Sequence, residues 1–309
     1  MKSQTEIFKP SSIKDVLIEA VDAFRDSGIL SARLDAEVLL SHCLGVSRPE
    51  LYRDLKEPMP SDKMEMFRLL VDRRRKGEPV AYIRGCKEFW SMQFRVTPEV
   101  LIPRPDTEIL VEEVIDFCRR DAGRIFRILE IGTGSGAVSI AIASELNNAR
   151  ITATDISEKA LSIARENAVA NGVGDRIIFL HGSLFEPVRG LFDIVVSNPP
   201  YVSRPQWDRL CSEIRFFEPE EALLAGPEGT EFHCQIANDI RDYLESGGWL
   251  LMEMGNGQWE RLRELLEEAA VFDEIGFRED YAGIPRVLKA RKKQPCTDRG
   301  KGSTADGFF

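Results

Sequence analysis

Apolar residues near the start of the chain recur at helical spacing. Ile13, Val16, Leu17, Ala20, Val21 and Phe24 fall on i, i+3 and i+4 steps, which predicts a helix capped by Ser11 or Ser12 and stopped at Gly28. The same rule predicts helices over Ala32–Cys43, carrying Leu34, Val38 and Leu39, and over Ser61–Arg75, carrying Met64, Phe67, Leu70 and Val71. Together they outline a small helical bundle over residues 1–78 with no catalytic cluster; His42 reads as a packed or surface side chain. Between Pro79 and Pro105 the pattern turns β-like. Ala81–Ile83 and Glu88–Val96 predict short strands about a turn at Gly85, a hairpin linker over residues 79–107.

Beyond residue 108 the periods alternate. After a helix over Glu108–Arg119, capped by Asp106 or Thr107, strands are predicted at Arg127–Ile131, Ile151–Asp155, Ile177–Leu180, Phe192–Ser197, Gly248–Met254, Phe272–Phe277 and Arg286–Ala290. Helices are predicted between them at Ala137–Leu146, Ser157–Ala170 with Ser157 as cap, Ile236–Leu244 and Trp259–Ala269. Strands alternating with helices imply an α/β fold with a mainly parallel sheet covered on both faces, over residues 108–291. Ligands of such sheets bind at the carboxyl edge of the strands. The polar, glycine-containing stretch over 292–309 is expected to be disordered.

Composition narrows the partners. A chain of 309 residues is long for one domain and comfortable for two. Its formal net charge of -10 counts against gripping nucleic-acid phosphates, so no direct nucleic-acid binding is expected. The basic run Arg73–Lys76 reads as a solvated helix end. Six cysteines are scattered without a C-x-x-C pair or zinc-ligand spacing, which predicts reduced thiols and no metal. The sequence carries neither a leader-like start nor an apolar run approaching the roughly 18 residues of a membrane span. A cytoplasmic monomer is expected.

Two segments carry candidate chemistry. The first is Glu130-Ile131-Gly132-Thr133-Gly134-Ser135-Gly136, which leaves a strand and opens a helix, with Asp155 closing the next strand. Glycines let a backbone turn sharply and approach a ligand closely, and an acid at that position can accept hydrogen bonds from ribose hydroxyls. The pattern Gly132-x-Gly134-x-x-Ala137 also satisfies the dinucleotide fingerprint, so an NAD-dependent oxidoreductase stays open on this segment alone, as does a plain glycine turn. Glu130 weighs against NAD, because it would repel a pyrophosphate and suit a cationic sulfonium. Ser183 and Leu184, with Phe185, leave the third strand where an adenine ring would rest.

The second segment is Asn198-Pro199-Pro200-Tyr201, directly after the apolar strand Phe192–Ser197. Two prolines fix φ and remove two N–H donors. The Asn198 side-chain oxygen and the Pro199 carbonyl can accept both hydrogens of an –NH2 group, and Tyr201 can stack on its plane. Such a slot takes a planar amide or an exocyclic amine and aims its nitrogen at a methyl donor. These nitrogens are weak nucleophiles, so alignment matters. It can save roughly 7–11 kcal/mol of barrier.

The order of glycine loop, Asp155 and Asn-Pro-Pro-Tyr resembles class I S-adenosylmethionine-dependent amino methyltransferases. Lys87-Glu88-Phe89-Trp90, Leu101 to Glu108 (Leu-Ile-Pro-Arg-Pro-Asp-Thr-Glu) and Phe217 to Leu223 narrow the resemblance to the release factor glutamine methyltransferase (HemK) family, over about residues 12–291. That resemblance implies a Rossmann-like seven-stranded sheet with its last strand antiparallel, and an N-terminal domain that recognises the substrate. It implies S-adenosyl-L-methionine as cofactor and N5-methylation of the glutamine in the Gly-Gly-Gln motif of class 1 peptide-chain release factors. The expected cofactor contacts are Glu130, Gly132 to Gly136, Asp155, Ser183, Leu184 and Asn198. The expected substrate contacts are Asn198 to Tyr201 and Arg104, with Asn198, Pro199 and Tyr201 carrying catalysis. Two other readings remain: a DNA adenine N6-methyltransferase, which would need base flipping and a basic cleft, and a non-catalytic cofactor-binding interaction protein.

Overall fold

The computed structural model describes residues 11–121 and 123–294. Five helices come first: α1 (Ile13–Asp26), α2 (Ala32–Leu44), α3 (Arg48–Arg53), α4 (Ser61–Arg75) and α5 (Val80–Arg84). Ser12 caps α1 in a reciprocal capping box with Asp15. Phe24, Leu39, Leu40, Leu51 and Phe67 form the fully buried centre of this bundle. Leu34, expected inside, stands 48% exposed.

The basic run is not a solvated helix end throughout. Arg74 is 4% exposed; its Nε donates to Asp35 at 2.8 Å, and its Nη1 lies 2.9 Å from Glu213, outside the bundle. The helical period of α4 turns Arg74 inward while Arg73 and Arg75 point out. Replacing Arg74 with methionine leaves the Asp35 carboxylate buried without a counter-charge, with the Ser31 hydroxyl still donating to it at 2.9 Å. That variant is expected to lose about 3–5 kcal/mol of stability in urea denaturation, against under about 0.5 kcal/mol for Met at the exposed Arg68.

Two expectations for the linker are corrected. Ala81–Ile83 lies in helix α5, which starts after Pro79 and ends at Gly85 in a left-handed cap with φ +72°. The hairpin is β1 (Cys86–Phe89) against β2 (Met92–Arg95), turning at Trp90 and Ser91 rather than at Gly85. Both turn residues have positive φ, 52° and 56°, which normally calls for Asn-Gly. Trp90 is anchored there by its N–H donating to Glu108 at 2.8 Å and its indole N–H donating to Glu145 at 3.1 Å. The hairpin docks through Asn167, a buried amide that pairs with both backbone groups of Arg95 and donates to the Ser135 carbonyl.

The remaining elements alternate: α6 (Glu108–Arg119), β3 (Phe126–Ile131), α7 (Ala137–Glu145), β4 (Ala149–Asp155), α8 (Glu158–Ala170), β5 (Ile177–His181) and β6 (Phe192–Ser197). A short insertion follows, β7 (Val202–Ser203), α9 (Arg204–Trp207), α10 (Ser212–Phe217) and β8 (Leu224–Gly226). The chain then closes with α11 (Glu231–Asp239), β9 (Leu244–Glu253), α12 (Trp259–Ala269), β10 (Phe272–Glu279) and β11 (Pro285–Lys292). Helix α11 therefore begins and ends five residues before the expected Ile236–Leu244, and Leu244 opens β9 instead. The last strand runs to Lys292, past the expected start of the tail; residues 295–309 lie outside the described residues.

Seven strands form one sheet in the order β10-β11-β9-β6-β3-β4-β5, with β11 antiparallel to β9 and to β10. Apolar clusters cover both faces, one around α6 and α7, the other around α11 and α12. The order reverses between β3 and β6, whose last paired residues are Ile131 and Ser197. The glycine loop and the Asn198 segment thus leave the sheet side by side, at the crevice where such folds bind ligands.

Candidate active site

The glycine loop is held from below. Gly132 and Thr133 N–H groups both donate to the Thr154 carbonyl at 2.9 Å, the Gly134 N–H donates to Asp155 at 2.8 Å, and the Gly136 N–H donates to the Thr133 carbonyl at 2.9 Å. A pyrophosphate site needs free backbone N–H groups aimed at the ligand. Here the N–H groups of residues 132, 133, 134 and 136 are engaged within the protein, which weighs against the dinucleotide reading. Gly132 and Gly134 have φ of +73° and +55°, and a Cβ built on either meets nothing within 4 Å, so the loop's backbone faces open space. Gly136 is different. A Cβ there would sit 2.9 Å from Ile140 and 3.2 Å from Ala164, so this glycine lets α7 and α8 approach closely.

Glu130 is 2% exposed. One carboxylate oxygen accepts from the Thr133 hydroxyl at 2.6 Å, from the Ser139 N–H at 3.2 Å and from the Ser139 hydroxyl. Burial pushes its pKa up to about 6 against those three donors. Glu130 therefore ties the loop to the first turn of α7. Thr133 and Ser135 are buried as well and face inward. Asp155 accepts from the Gly134 N–H and, on its other oxygen, from the Ser157 N–H at 2.9 Å; burial raises its pKa, opposed by these backbone donors.

At the end of β5, Ser183 is exposed and Leu184 half-buried. Leu184 has φ +47°, with its carbonyl accepting from Thr154 Oγ1 at 3.2 Å. Both line a cleft of about 480 Å³ with Asp239 and Asp242. Phe185 is committed to the core, stacked on Tyr243 with ring centroids 4.5 Å apart.

The Asn198 segment is braced by residues that the sequence reading did not single out as site residues. Neither Asp106 nor Thr107 caps α6 through its side chain. Asp106 instead pairs with Arg286 at 3.1 Å, and the Thr107 hydroxyl accepts from Asn198 Nδ2 at 3.2 Å. Tyr201 donates its hydroxyl to Glu253 at 3.2 Å, and burial raises its pKa. The Tyr201 carbonyl accepts from Gln258 at 2.9 Å. Gly229 and Gly255 leave room for it: a Cβ on Gly229 would sit 2.8 Å from that carbonyl, and one on Gly255 3.2 Å from the Tyr201 ring. Arg104 is paired with Glu218, which also accepts from the Ile102 N–H at 3.2 Å, so the Pro103–Glu108 and Phe217–Leu223 segments clasp each other. Among the described residues no group of His, Cys, Asp and Glu is placed to hold a metal ion.

A doubly wound sheet with one antiparallel strand, an open glycine cradle whose amides are already engaged, and a proline-rigid acceptor slot one strand away together define a class I S-adenosylmethionine-dependent methyltransferase. The PrmC N-terminal domain model matches residues 15–85, and the methyltransferase small domain model matches residues 106–225. The chain is 39% identical over 297 residues to the release factor glutamine methyltransferase of Rhodopirellula baltica, covering 94% of this chain and 99% of that one. The enzyme of the same name from Coxiella burnetii is 42% identical over 261 residues, covering 84% and 92%. Among solved structures, the hMettl16 catalytic domain in complex with MAT2A 3′UTR hairpin 6 aligns with a TM-score of 0.54 at 18% identity, over 70% of this chain and 84% of that one, a likeness of fold. The chain belongs to the release factor glutamine methyltransferase family, and its cofactor is S-adenosyl-L-methionine.

Proposed function

We propose that this enzyme methylates N5 of the glutamine in the Gly-Gly-Gln motif of class 1 peptide-chain release factors. The state of Asn198 carries the reading. Its Nδ2 is engaged by Thr107, so Oδ1 is the atom left to accept from a ligand. With the Pro199 carbonyl, Oδ1 can take both hydrogens of a primary amide. Pro200 adds no N–H to compete, and the Tyr201 ring offers the amide a flat surface. Arg104, held by Glu218, is proposed to line the approach to the slot.

The open floor at Gly132 and Gly134 fits the cofactor. Asp155 would accept from its ribose hydroxyls, Ser183 and Leu184 would flank the adenine, and the buried charge of Glu130 would favour its cationic groups. When bound, S-adenosyl-L-methionine supplies an electrophilic methyl carbon. The slot would hold the amide nitrogen toward that methyl group, with Asn198 Oδ1 and the Pro199 carbonyl fixing its direction. Two acceptors on the –NH2 group stabilise the positive charge developing on nitrogen, and one proton then leaves to solvent. A general base is not required before transfer.

The helical bundle is proposed as the substrate-recognition domain. Its surface shows Ile18, Leu30, Leu34, Tyr52, Met66 and Leu69, apolar side chains available to a protein partner. A cytoplasmic monomer fits this reading; no helix among the described residues is long and apolar enough to cross a membrane. DNA adenine would satisfy the same slot, but the net charge of -10 opposes a polyanionic substrate. The test is labelled methyl transfer to a purified release factor, its Gln→Glu motif variant, duplex DNA and a protein extract in parallel. Labelling of the unaltered release factor alone is expected. Labelling of DNA alone would overturn the reading; cofactor binding without any labelling would favour a non-catalytic scaffold.

A further inference from the structure

The methyl-transfer site occupies the carboxyl edge of the sheet. The amino edge holds a second cleft, of about 260 Å³, whose lining is rich in arginine. Arg127 and Arg150 are the second residues of β3 and β4, Arg176 immediately precedes β5, and Arg189 lies in the loop between β5 and β6. Arg127 and Arg150 are register partners on adjacent parallel strands. Such partners stand on one face of the sheet about 5 Å apart, where like charges repel. Glu245 neutralises Arg127 at 2.6 Å.

The other three keep their charge. Among the described residues Arg150, Arg176 and Arg189 form no ion pair, and Asp175, the single acid in the lining, is bridged to none of the four. In a chain with a formal net charge of -10, free arginines from three elements have little reason to gather. Their side chains are nonetheless tethered. Nη1 of Arg150 donates to the Ala149 carbonyl at 3.1 Å, Nη1 of Arg176 to the Leu146 carbonyl at 3.2 Å, and Nη1 of Arg189 to the Val188 carbonyl at 2.7 Å. Each bond fixes a guanidinium against a neutral acceptor and leaves its charge and its remaining N–H donors for an anion.

Shape selects the anion. A carboxylate is planar and is matched by one guanidinium fork. A phosphate monoester carries a charge of about -1.5 to -2 at neutral pH and offers three terminal oxygens, so it takes donors from several directions. Arginines entering from a strand, a turn and a loop suit the second arrangement. The cleft also has an apolar side. Ile178 pairs in register with Thr152 and so shares the face of Arg150. Ile178 is 62% exposed and Leu191, from the loop, 37% exposed. An inorganic ion would leave them uncovered, whereas the organic part of an ester would bury them.

We propose that this cleft binds a small phosphate monoester, its phosphoryl group among Arg150, Arg176 and Arg189 and its organic part against Ile178 and Leu191. At about 3.3 Å per residue, Arg150 lies about 16 Å from Asp155 along β4. The ester and the cofactor therefore bind at opposite ends of the same strands.

Titration calorimetry on the full chain tests this, with S-adenosylhomocysteine saturating the cofactor site. The probes are inorganic phosphate, phenyl phosphate, uridine monophosphate, uridine and a uridine oligonucleotide. A monoester is expected to bind about tenfold tighter than inorganic phosphate, and uridine not measurably. Arg150→Gln and Arg189→Gln should each weaken ester binding about tenfold, the size of one lost hydrogen bond to a charged group. Ile178→Ser should erase the advantage of the ester over inorganic phosphate. Methyl transfer by these variants should stay within about twofold of the parent. Whichever monoester binds tighter sustains the proposal and tells a nucleotide from another ester. Esters that do not bind at millimolar concentration overturn it, as do arginine variants with parental affinity or uridine bound as tightly as its monophosphate. Binding of the oligonucleotide without either monoester also overturns it. Arg150 and Arg189 are exposed, so their variants are expected to fold, and circular dichroism checks that they do.

Discussion

Asn198→Ala is expected to lower kcat for methyl transfer by about 10²–10³-fold, the range seen when one preorganised group is removed from a developing charge. Cofactor affinity should stay within about twofold: Asn198 is the one expected cofactor contact on this segment, its Nδ2 is already engaged by Thr107, and the contacts proposed for ribose and adenine come from Asp155, Ser183 and Leu184. The reasoning is local. Alanine removes one of two acceptors for the substrate –NH2 group, leaves the Pro199 carbonyl in place, and frees the Thr107 hydroxyl to rotate. The fold should tolerate the change, since Asn198 is half-buried and its neighbour Ser197 remains anchored by its hydroxyl donating to the Ile131 carbonyl at 2.8 Å. Single-turnover transfer to a release factor measures the first quantity and titration calorimetry the second. A variant that loses cofactor binding in parallel with turnover would show that Asn198 supports the donor rather than the acceptor.

What could be read from the sequence was whatever is local along it. Strand β6 and helix α12 lie where hydrophobic period alone puts them, and the glycine loop was visible because a strand, three glycines and a helix follow one another within twelve residues (Phe126–Ala137). Ser157 caps α8, its hydroxyl accepting from Ala160 N–H at 3.2 Å, for the same reason. The errors arose where a distant partner overrode a local preference. Trp90 and Ser91 hold a two-residue turn that glycine or asparagine would normally occupy, with Glu108 and Glu145 as anchors. Arg74 was hidden in a basic run because its acid partners lie on α2 and α10.

The same limit explains the half of the site that was missed. Thr107 meets Asn198 across 91 residues, Glu253 meets Tyr201 across 52, and Gln258 meets the Tyr201 carbonyl across 57. None has a motif of its own; the topology brings them together at one edge. Thr107 reads in the sequence as a helix cap, whereas its hydroxyl makes no capping bond and accepts from Asn198. Gly229 and Gly255 are small because the Tyr201 carbonyl and ring occupy the space a Cβ would need, a reason that exists in three dimensions alone.

Asp155→Ala should divide the roles the other way. Its two oxygens hold the Gly134 N–H and the Ser157 N–H, so the carboxylate fixes the cradle's height as well as offering lone pairs to ribose hydroxyls. Hydrogen bonds to a charged acceptor contribute about 1.5–3 kcal/mol each, so losing one ribose contact and loosening the loop should weaken cofactor binding by about 10²-fold. Turnover at saturating cofactor should stay within about threefold, because the amide slot on β6 is untouched. Burial raises the Asp155 pKa, so in the parent enzyme cofactor affinity should fall as pH drops through that raised value and should be full above it. The alanine variant should lack that dependence. Calorimetric titrations of both proteins at falling pH decide the matter: an affinity unchanged by the substitution, or a pH dependence that survives it, would remove Asp155 from the cofactor site and leave it as a brace for the glycine loop.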